Sequence, residues 1–545
     1  MSGFGRRIFS SSETGIFRHG SFSRFPPLGG QRVHRRHLSL LALLLLGLVA
    51  AWLVASGILS GKTQTLVYGG LAAVGGVILF VTLGNFRRGL YLFLGWLLFE
   101  DLARKFLGNN MVIYFAKDFL AVVVYISFFA AVRRKEVPLF RPPFLTALAV
   151  FFWFAVIQVF NPASTSLVFG LLGLKLYFYY VPLIFVGYAL LDSEQQLQRF
   201  FSWNLLLAAA IALLGIIQAI AGPTFLNPVR PEEDIRELST LYRMAPISGD
   251  VFYRPTSVFV SDGRYAYYLI LCWILAFGVG GYLLFRSRRG RMLAFLTIAV
   301  VSAAIVLSGS RGSLLFTAGS ALVATAAFLW GAPWRQRGVL RVVRVIQRTI
   351  LLVGLALISL VAVYPEALGA RLAFYSETLG LSSPAGELVY RARDYPVKNF
   401  LMAFEYPRWP YGYGTGTASL GGQYISRLLK VQTPVTGVES GYGNIIVEMG
   451  IVGLSLWLVW TIALAISAWR VVRALKNSPW FPLAFAIFWF AALLVFPMTY
   501  STLTTYQNFV LNAYFWLLLG ILFRLPTLAM EQLPAAPVAL SPRGH

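Results

Sequence analysis

The sequence is poor in the residues that most often hold metals: it has one cysteine, Cys272, and only four histidines. A single cysteine excludes a disulfide within the chain and a cysteine metal cluster. The acidic run Glu232-Glu233-Asp234 has no matching ligand cluster, so we interpret it as a solvated surface. The histidines all lie in segments predicted below as cytoplasmic tails, which excludes a histidine base on the outer face: His19, His34, His37 and His545.

Charged residues are also scarce, at 12% of the chain, whereas 58% of the residues are hydrophobic and the mean hydropathy is +0.71. A soluble domain of 545 residues with this composition would expose too much apolar surface. The apolar runs recur near the length of about 20 residues that crosses a bilayer. The sequence therefore predicts an all-α polytopic membrane protein with about 14 transmembrane helices.

The net charge of +25 would favour nucleic-acid binding in a soluble protein. Here the basic residues mostly flank the apolar runs, which is typical of membrane topology, and we expect no nucleic-acid partner. The predicted spans are 38–59, 66–84, 89–100, 111–132, 143–160, 167–190, 201–221, 265–285, 292–308, 312–330, 349–364, 443–469, 481–498 and 508–523. The third is short, and is either re-entrant or extended through Glu100 and Asp101.

The short loops give the orientation. If the N-terminus is inside, the inner short loops carry 19 lysines and arginines and the outer ones carry 4. This places both termini in the cytoplasm, with a disordered basic tail at 1–37 and a second tail at 524–545 around the membrane domain 38–523. Two long loops, 222–264 and 365–442, are then extracytoplasmic, and loops this long are usually functional.

Arg311 is the first candidate site residue, within the motif Ser308-Gly309-Ser310-Arg311-Gly312-Ser313 between two spans. A charge near hydrocarbon is expensive, so it indicates function by default. Its guanidinium group offers a planar fork for phosphate oxygens, and Gly312 permits close approach of a ligand. The alternative is an arginine that reaches to the membrane surface from a tight turn.

Glu439 is the second candidate, at the start of a span in Glu439-Ser440-Gly441-Tyr442. A carboxylate at this boundary can act as a general base, or can simply favour a helix start through the helix dipole. Glu448, Gly450 and Gly453 follow inside the same span. The pattern of those three favours a close helix–helix contact with a buried polar bond.

Further residues of the outer loops are candidates for pyrophosphate or glycan binding. Arg254 and Arg264 precede a span and can lie beside Arg311; the alternative is an interfacial anchor with aromatic neighbours. The second loop contributes three other candidates, Arg371, Arg391 and Tyr442. It also contains a glycine-rich turn, 411–417, that either approaches a ligand or forms a flexible tip. Within the spans, Lys117 and Asp118 are predicted as a buried pair.

These motifs resemble those of the O-antigen ligase and polysaccharide polymerase family of bacterial envelope enzymes. Ser310-Arg311-Gly312 is similar to the family's turn between two spans, and 365–442 to its large external loop. Residues 411–417 are similar to its Gly-x-Gly-x-Gly stretch, and Glu448 through Gly453 to the end of its last motif. The family histidine position falls on Glu439, so the chain resembles the polymerases more than the lipid A core ligase.

The resemblance implies an enzyme of the bacterial inner membrane that polymerises glycan repeat units carried on undecaprenyl pyrophosphate. It implies Arg311 and Glu439 as the catalytic residues and a reaction without a metal, a nucleotide or another cofactor. Membrane lipid, chain-length regulators and flippase proteins are the implied partners. A ligase that transfers a finished glycan is the first alternative, and a flippase or transporter of lipid-linked sugars is the second. A transporter would place its polar residues in a midplane cavity.

Overall fold

The computed structural model describes residues 81–107, 111–228, 241–286, 290–333, 364–380, 390–419 and 437–531, and a few isolated positions. The chain forms two compact units. The first is Met1–Val81, described only at helical positions between Gly75 and Val81. The second is Thr82–His545, which holds every element below. The predicted tail 1–37, the span 38–59, residues 232–234, most of 66–84 and 349–364, and the end of the second tail lie outside the described residues.

Within its described residues, the regular structure of the second unit is helical apart from one small hairpin. The hairpin pairs β1 (Tyr242–Met244) with β2 (Val251–Tyr253) in antiparallel register, with Tyr242 opposite Tyr253. The helices are α1 (Phe86–Leu107), α2 (Met111–Arg133), α3 (Leu145–Val159), α4 (Leu167–Phe178), α5 (Leu183–Leu190), α6 (Glu194–Ala221), α7 (Asp262–Arg286), α8 (Arg291–Leu307), α9 (Arg311–Gly331), α10 (Pro365–Leu379), α11 (Tyr395–Leu401), α12 (Gly441–Ala474), α13 (Phe481–Leu493) and α14 (Phe509–Met530).

The described part has the character of an all-α membrane protein. Eight helical segments are long and apolar enough to cross a bilayer: Val112–Arg133, Leu167–Leu190, Glu194–Ala221, Asp262–Arg286, Arg311–Gly331, Gly441–Ala474, Phe481–Ser501 and Phe509–Met530. Two apolar helices are shorter, Leu145–Val159 and Arg291–Leu307. Each of these ten segments overlaps a span predicted from hydropathy.

Several helices are longer than their apolar runs. The span predicted at 201–221 begins at Glu194, because the Ser193 hydroxyl caps the helix by accepting from the Gln196 amide. The segment predicted at 89–100 belongs to a helix of 22 residues, Phe86–Leu107, which continues through Glu100 and Asp101 as one of the two alternatives expected. The last helix continues through Met530, into the segment expected to be the second tail.

Small residues let the helices pack closely. A methyl group at Gly187 of α5 would lie 2.2 Å from the carbonyl oxygen of Leu517 in α14, and Gly520 is equally close to Ile184. Helices α9 and α13 pack antiparallel: Gly331 faces the ring of Phe481, and the Trp489 indole donates to the Ser320 hydroxyl over 3.0 Å. Such contacts are favourable in membranes, where dispersion replaces the hydrophobic effect between helices.

Candidate active site

The Ser-Arg-Gly motif forms a tight turn between α8 and α9. Ser310 is the N-cap of α9, and its hydroxyl accepts from the Ser313 amide over 3.3 Å. Gly309 has a φ of +65°, and a side chain there would collide with the ring of Phe252 at 2.3 Å. The turn therefore requires glycine at this position, and places Arg311 in the first turn of α9.

Arg371 of α10 holds this turn through hydrogen bonds to backbone carbonyls. Its Nε donates to the carbonyl of Leu307 over 2.8 Å and its Nη2 to the carbonyl of Tyr253 over 2.6 Å. The residue is only 1% exposed, and burial lowers the pKa of its guanidinium group to about 10, so it remains charged at neutral pH. Arg371 thus connects α10 to both the turn and the hairpin. The two carbonyls compete with phosphate oxygens for this guanidinium group, which the sequence predicts as a phosphate contact.

Two further arginines lie around α10. Arg254, directly after β2, forms an ion pair with Asp262 at the start of α7. The guanidinium carbon of Arg311 lies 5.1 Å from the centre of the Phe374 ring. Burial raises the pKa of the neighbouring Tyr375 to about 12, and the charges of Arg371 and Arg254 oppose that rise. We call Arg254, Arg311 and Arg371 the cationic cluster.

Arg264 belongs to a different group of charges. It donates to both carboxylate oxygens of Asp101, over 2.9 and 2.7 Å. Asp101 is also 3.4 Å from Arg104. The sequence allowed Arg264 to lie beside Arg311, but its partner in the structure is a carboxylate of α1, which holds the start of α7 against α1.

The buried pair predicted at Lys117 and Asp118 takes other partners. Lys117 lies 3.0 Å from Glu100, and Asp118 lies 2.5 Å from Lys175 of α4. The correction has a geometric reason, since successive residues of a helix point in directions about 100° apart and do not face each other. The result is an ionic network that joins α1, α2 and α4.

The segment between the hairpin and α7 is held by α1 and α6. Lys105 donates to the Thr256 hydroxyl and to the Ser257 carbonyl, each over 2.8 Å. The side-chain oxygen of Gln218 accepts from the amides of both residues, over 2.8 and 2.6 Å. Ser257 has a φ of +50°, which non-glycine residues rarely adopt. These bonds fix the backbone between Arg254 and its partner Asp262.

We expect Lys105→Met to release this segment. Loss of the two hydrogen bonds from the Lys105 amine should speed hydrogen exchange of the Thr256 and Ser257 amides by about tenfold or more. Hydrogen exchange followed by mass spectrometry measures this directly, with Lys398→Met as a control on an exposed lysine. Unchanged exchange at both amides would show that the other hydrogen bonds of the segment, among them those to Gln218 and Ile211, hold it without Lys105.

Glu439 lies at the start of α12 and is exposed to solvent. One of its carboxylate oxygens accepts a hydrogen bond from the hydroxyl of Tyr395. The next residue, Ser440, caps α12 by accepting from the Gly443 amide, and donates to the carbonyl of Tyr500 over 2.9 Å. Tyr442 is mostly buried and donates to the Val495 carbonyl over 3.2 Å. The bonds of Ser440 and Tyr442 fix the backbone next to Glu439, whose carboxylate lies at the protein surface.

The packing of α9 on α13 places both motifs near one face. Ser320 lies beside Trp489, and the two helices run in opposite directions. Helix α9 starts nine residues before Ser320, and α13 ends at Leu493, four residues after Trp489, so Arg311 lies toward the C-terminal end of α13, where the irregular turn Leu494–Met498 follows. Residues adjacent to Met498 contact the Glu439 motif, since Gly441 lies against the Thr499 carbonyl. Arg311 and Glu439 are therefore near the same end of the helical unit.

Glu448 is fully buried, and its side chain accepts hydrogen bonds from α4 and from backbone amides between Gly416 and Ser419. The Tyr177 hydroxyl donates over 2.9 Å and the Ala418 amide over 3.1 Å. This is the buried polar contact between elements that its sequence pattern favours. Gly453 faces α3, because a methyl group there would lie 3.6 Å from a ring carbon of Phe154, and also 2.3 Å from Cβ of Met449 within α12.

The glycine-rich segment 411–417 lies against an irregular turn in α12. The amides of Tyr413 and Gly414 donate to the carbonyls of Val447 and Glu448, over 2.8 and 2.9 Å. Gly412, Gly414 and Gly416 all have positive φ, from +81° to +106°. The glycines thus permit backbone-to-backbone packing within the protein, where the sequence left open a ligand contact or a flexible tip.

Gly450 is the residue at which α12 departs from helical geometry. Its φ is +71°, and an added methyl group would lie 2.2 Å from the Pro410 carbonyl oxygen. We expect Gly450→Ala to lower the free energy of unfolding by roughly 2 kcal/mol or more, measured by thermal or denaturant unfolding in detergent. Gly312→Ala is the matched control, because Gly312 is exposed and has no atom within 4 Å of that position. Equal stability of both variants would contradict the packing argument.

Arg391 lies in the π-helical turn Tyr390–Asp394, and its side chain is outside the described part. No group of three or more histidine, cysteine, aspartate or glutamate side chains in the described ranges is placed to hold a metal ion. Tyr395 and Tyr375, which contact or neighbour the candidate residues, are not among the residues that the sequence patterns point to.

The fold and the site together define an α-helical membrane protein with arginines and a surface carboxylate near one end of its helices. Neither the protein-family models nor the curated proteins compared with this sequence give a match.

Proposed function

We propose that the protein polymerises lipid-linked oligosaccharide repeat units into a surface polysaccharide, either an O-antigen or an exopolysaccharide. It would transfer glycan from undecaprenyl pyrophosphate at the outer face of the bacterial inner membrane. The observation that carries the proposal is the placement of Arg311 and the exposed Glu439 near one end of the helical unit. A pyrophosphate leaving group needs cations, and an attacking sugar hydroxyl needs a base.

In the proposed reaction, an acceptor hydroxyl attacks the anomeric carbon of the donor glycan. The bond from that carbon to the pyrophosphate oxygen breaks, and the leaving group takes the bonding electrons. Arg311 stabilises the charge that develops on the pyrophosphate, and Glu439 takes the proton of the attacking hydroxyl. In-line attack inverts the anomeric centre. The pyrophosphate is already a good leaving group, so the reaction needs no nucleotide to activate the donor.

The buried arginines have supporting roles in this proposal. Arg371 holds the Ser-Arg-Gly turn through the carbonyls of Leu307 and Tyr253. Arg254 keeps positive charge beside the turn while it pairs with Asp262. We therefore assign direct pyrophosphate contact to Arg311, and positioning and electrostatic roles to Arg371 and Arg254.

The proposed topology has about 14 spans, cytoplasmic termini, and extracytoplasmic loops at 222–264 and 365–442. The hairpin β1–β2 and helix α10, which surround Arg311, belong to these two loops. Placing them outside brings the cationic cluster to the face where lipid-linked repeat units would be joined. The excess of lysine and arginine in the opposite loops supports this orientation.

A ligase is the nearest alternative, because the same residues would transfer a finished glycan once to another acceptor. A flippase is a weaker alternative. The candidate residues Arg311 and Glu439 lie near the ends of helices, whereas a transporter would require polar residues in a cavity at the membrane midplane. The ionic network of α1, α2 and α4 is the feature that a transporter would use.

Purified protein supplied with its undecaprenyl-pyrophosphate repeat unit tests the proposal, without metal or nucleotide. A ladder of products that differ by one repeat unit is the expected result. A single transfer to a second acceptor would indicate a ligase. Absence of any product, together with transbilayer movement of the repeat unit in proteoliposomes, would indicate a transporter.

A further inference from the structure

A polar cavity of about 400 Å³ lies at the other end of the helical unit, away from the candidate active site. It is lined by the start of α1, the segment after α2, the end of α5 and the end of α14. Three of the lining residues are arginines: Arg87, Arg134 and Arg524. Phe509, at the start of α14, lies beside Arg264, and Arg524 is about 22 Å further along the same helix. The cavity and the Arg311 end of the unit are therefore separate sites.

The guanidinium groups in this cavity have hydrogen-bonding capacity to spare. Arg87 uses one nitrogen, Nη2, for both the Asp192 carboxylate and the Ala189 carbonyl, over 2.5 and 3.2 Å. Its Nε is buried and has no partner within the described ranges. Arg134 donates Nε and Nη2 to Glu136, over 2.7 and 3.1 Å, which leaves Nη1. A further anion can thus be bound without breaking these pairs.

The acidic partners lie nearer to water than the arginines do. The side chains of Asp192 and Glu136 are 53% and 50% exposed, whereas those of Arg87 and Arg134 are 29% and 36% exposed. Arg524 is only 17% exposed, and its carboxylate partner is a loose 3.7 Å away. Exposed carboxylates are well screened, so the positive charge dominates the inner wall of the cavity.

Two more features favour an anion. The cavity includes Phe86 and Arg87 at the N-terminus of the 22-residue helix α1, where the helix dipole presents positive charge. Tyr188 also lines the cavity, with Phe140 stacked on it at 4.4 Å and Arg524 over its ring at 5.6 Å. An apolar wall beside cations suits a ligand that has a charged head and an uncharged body.

We propose that this cavity binds the phosphate headgroup of an anionic phospholipid, such as phosphatidylglycerol. Basic pockets between transmembrane helices commonly bind such headgroups. The volume is within the range of small-ligand sites. In the orientation proposed above, the lipid would come from the cytoplasmic leaflet. The inference does not depend on the glycosyl-transfer reaction.

Neighbouring arginines provide matched variants for the test. Arg87 and Arg134 line the cavity, whereas Arg88 and Arg133, one residue away, are exposed and do not. The full-length protein would be purified in detergent, and binding of added phosphatidylglycerol measured by native mass spectrometry, with phosphatidylcholine as the neutral lipid. Arg87→Gln and Arg134→Gln should each weaken phosphatidylglycerol binding by about tenfold, and Arg88→Gln and Arg133→Gln by less than about twofold.

Three results would overturn the proposal. Equal losses in all four variants would indicate attraction to the basic surface alone. Undiminished binding in Arg87→Gln and Arg134→Gln would show that the lipid binds elsewhere. Displacement of the lipid by millimolar inorganic phosphate would indicate a site for a soluble phosphate compound. If Arg87→Gln fails to fold, Arg524→Gln gives the same comparison, since Arg524 also lines the cavity.

Discussion

Arg311→Ala is expected to reduce the rate of glycosyl transfer by at least about 100-fold. Removing one donor that stabilises developing charge in a dry site typically costs a factor of 10² to 10³. Arg311 is the member of the cationic cluster in the first turn of α9, beside the ring of Phe374. Arg311→Lys should retain part of the activity, because lysine keeps the charge but lacks the planar fork.

The comparison needs an arginine on the same side of the protein outside the cluster. Arg243 of β1 is exposed and serves as this control, so Arg243→Ala should keep the wild-type rate. Thermal unfolding of each variant separates loss of function from loss of fold. A folded Arg311→Ala protein that polymerises at the wild-type rate would remove Arg311 from the site.

Glu439→Gln is expected to lower the rate by a factor of about 10² to 10⁴, the usual contribution of a general base. Glutamine has the same shape and can still accept the hydrogen bond from Tyr395, so the fold should not change. Tyr395→Phe should have a smaller effect, about tenfold, because it removes only the group that orients the carboxylate.

Glu405→Gln is the matched control for this variant. Glu405 is an exposed glutamate of the same predicted outer loop, in the turn Met402–Glu405. Initial rates at saturating substrate compare the proteins. If Glu439→Gln retains the rate of Glu405→Gln, the base must be another group, and the hydrogen bond from Tyr395 would be structural.

The helices could be predicted from the sequence because each has an apolar run near the thickness of a bilayer. Their ends could not, because polar residues extend them, as Ser193 does at the start of α6. Helix α1 was hard to delimit for a related reason. Its carboxylates Glu100 and Asp101 pair with Arg104 of the same helix and with Lys117 of α2 and Arg264 of α7, which hydropathy does not register.

In the candidate site, too, the motifs could be predicted from the sequence and the contacts between distant residues could not. The Ser-Arg-Gly turn and the start of α12 could be predicted because charge beside hydrocarbon is rare and is visible in the sequence. The partners of the other candidate arginines could not be predicted. Arg264 binds a carboxylate 163 positions away, and Arg371 binds carbonyls of two different elements. The buried role of Glu448 was predicted as a helix contact, and its bond to Tyr177 agrees with that.

The most direct test of the proposed reaction is to count the undecaprenyl pyrophosphate released for each repeat unit added. Purified protein in lipid bilayers would be supplied with the lipid-linked repeat unit. Chain length and released pyrophosphate lipid would then be quantified over the same time course. The proposed mechanism predicts one molecule released for each new linkage, with both processes slowed by the same factor in Glu439→Gln. Chain growth without release, or release without chain growth, would contradict it.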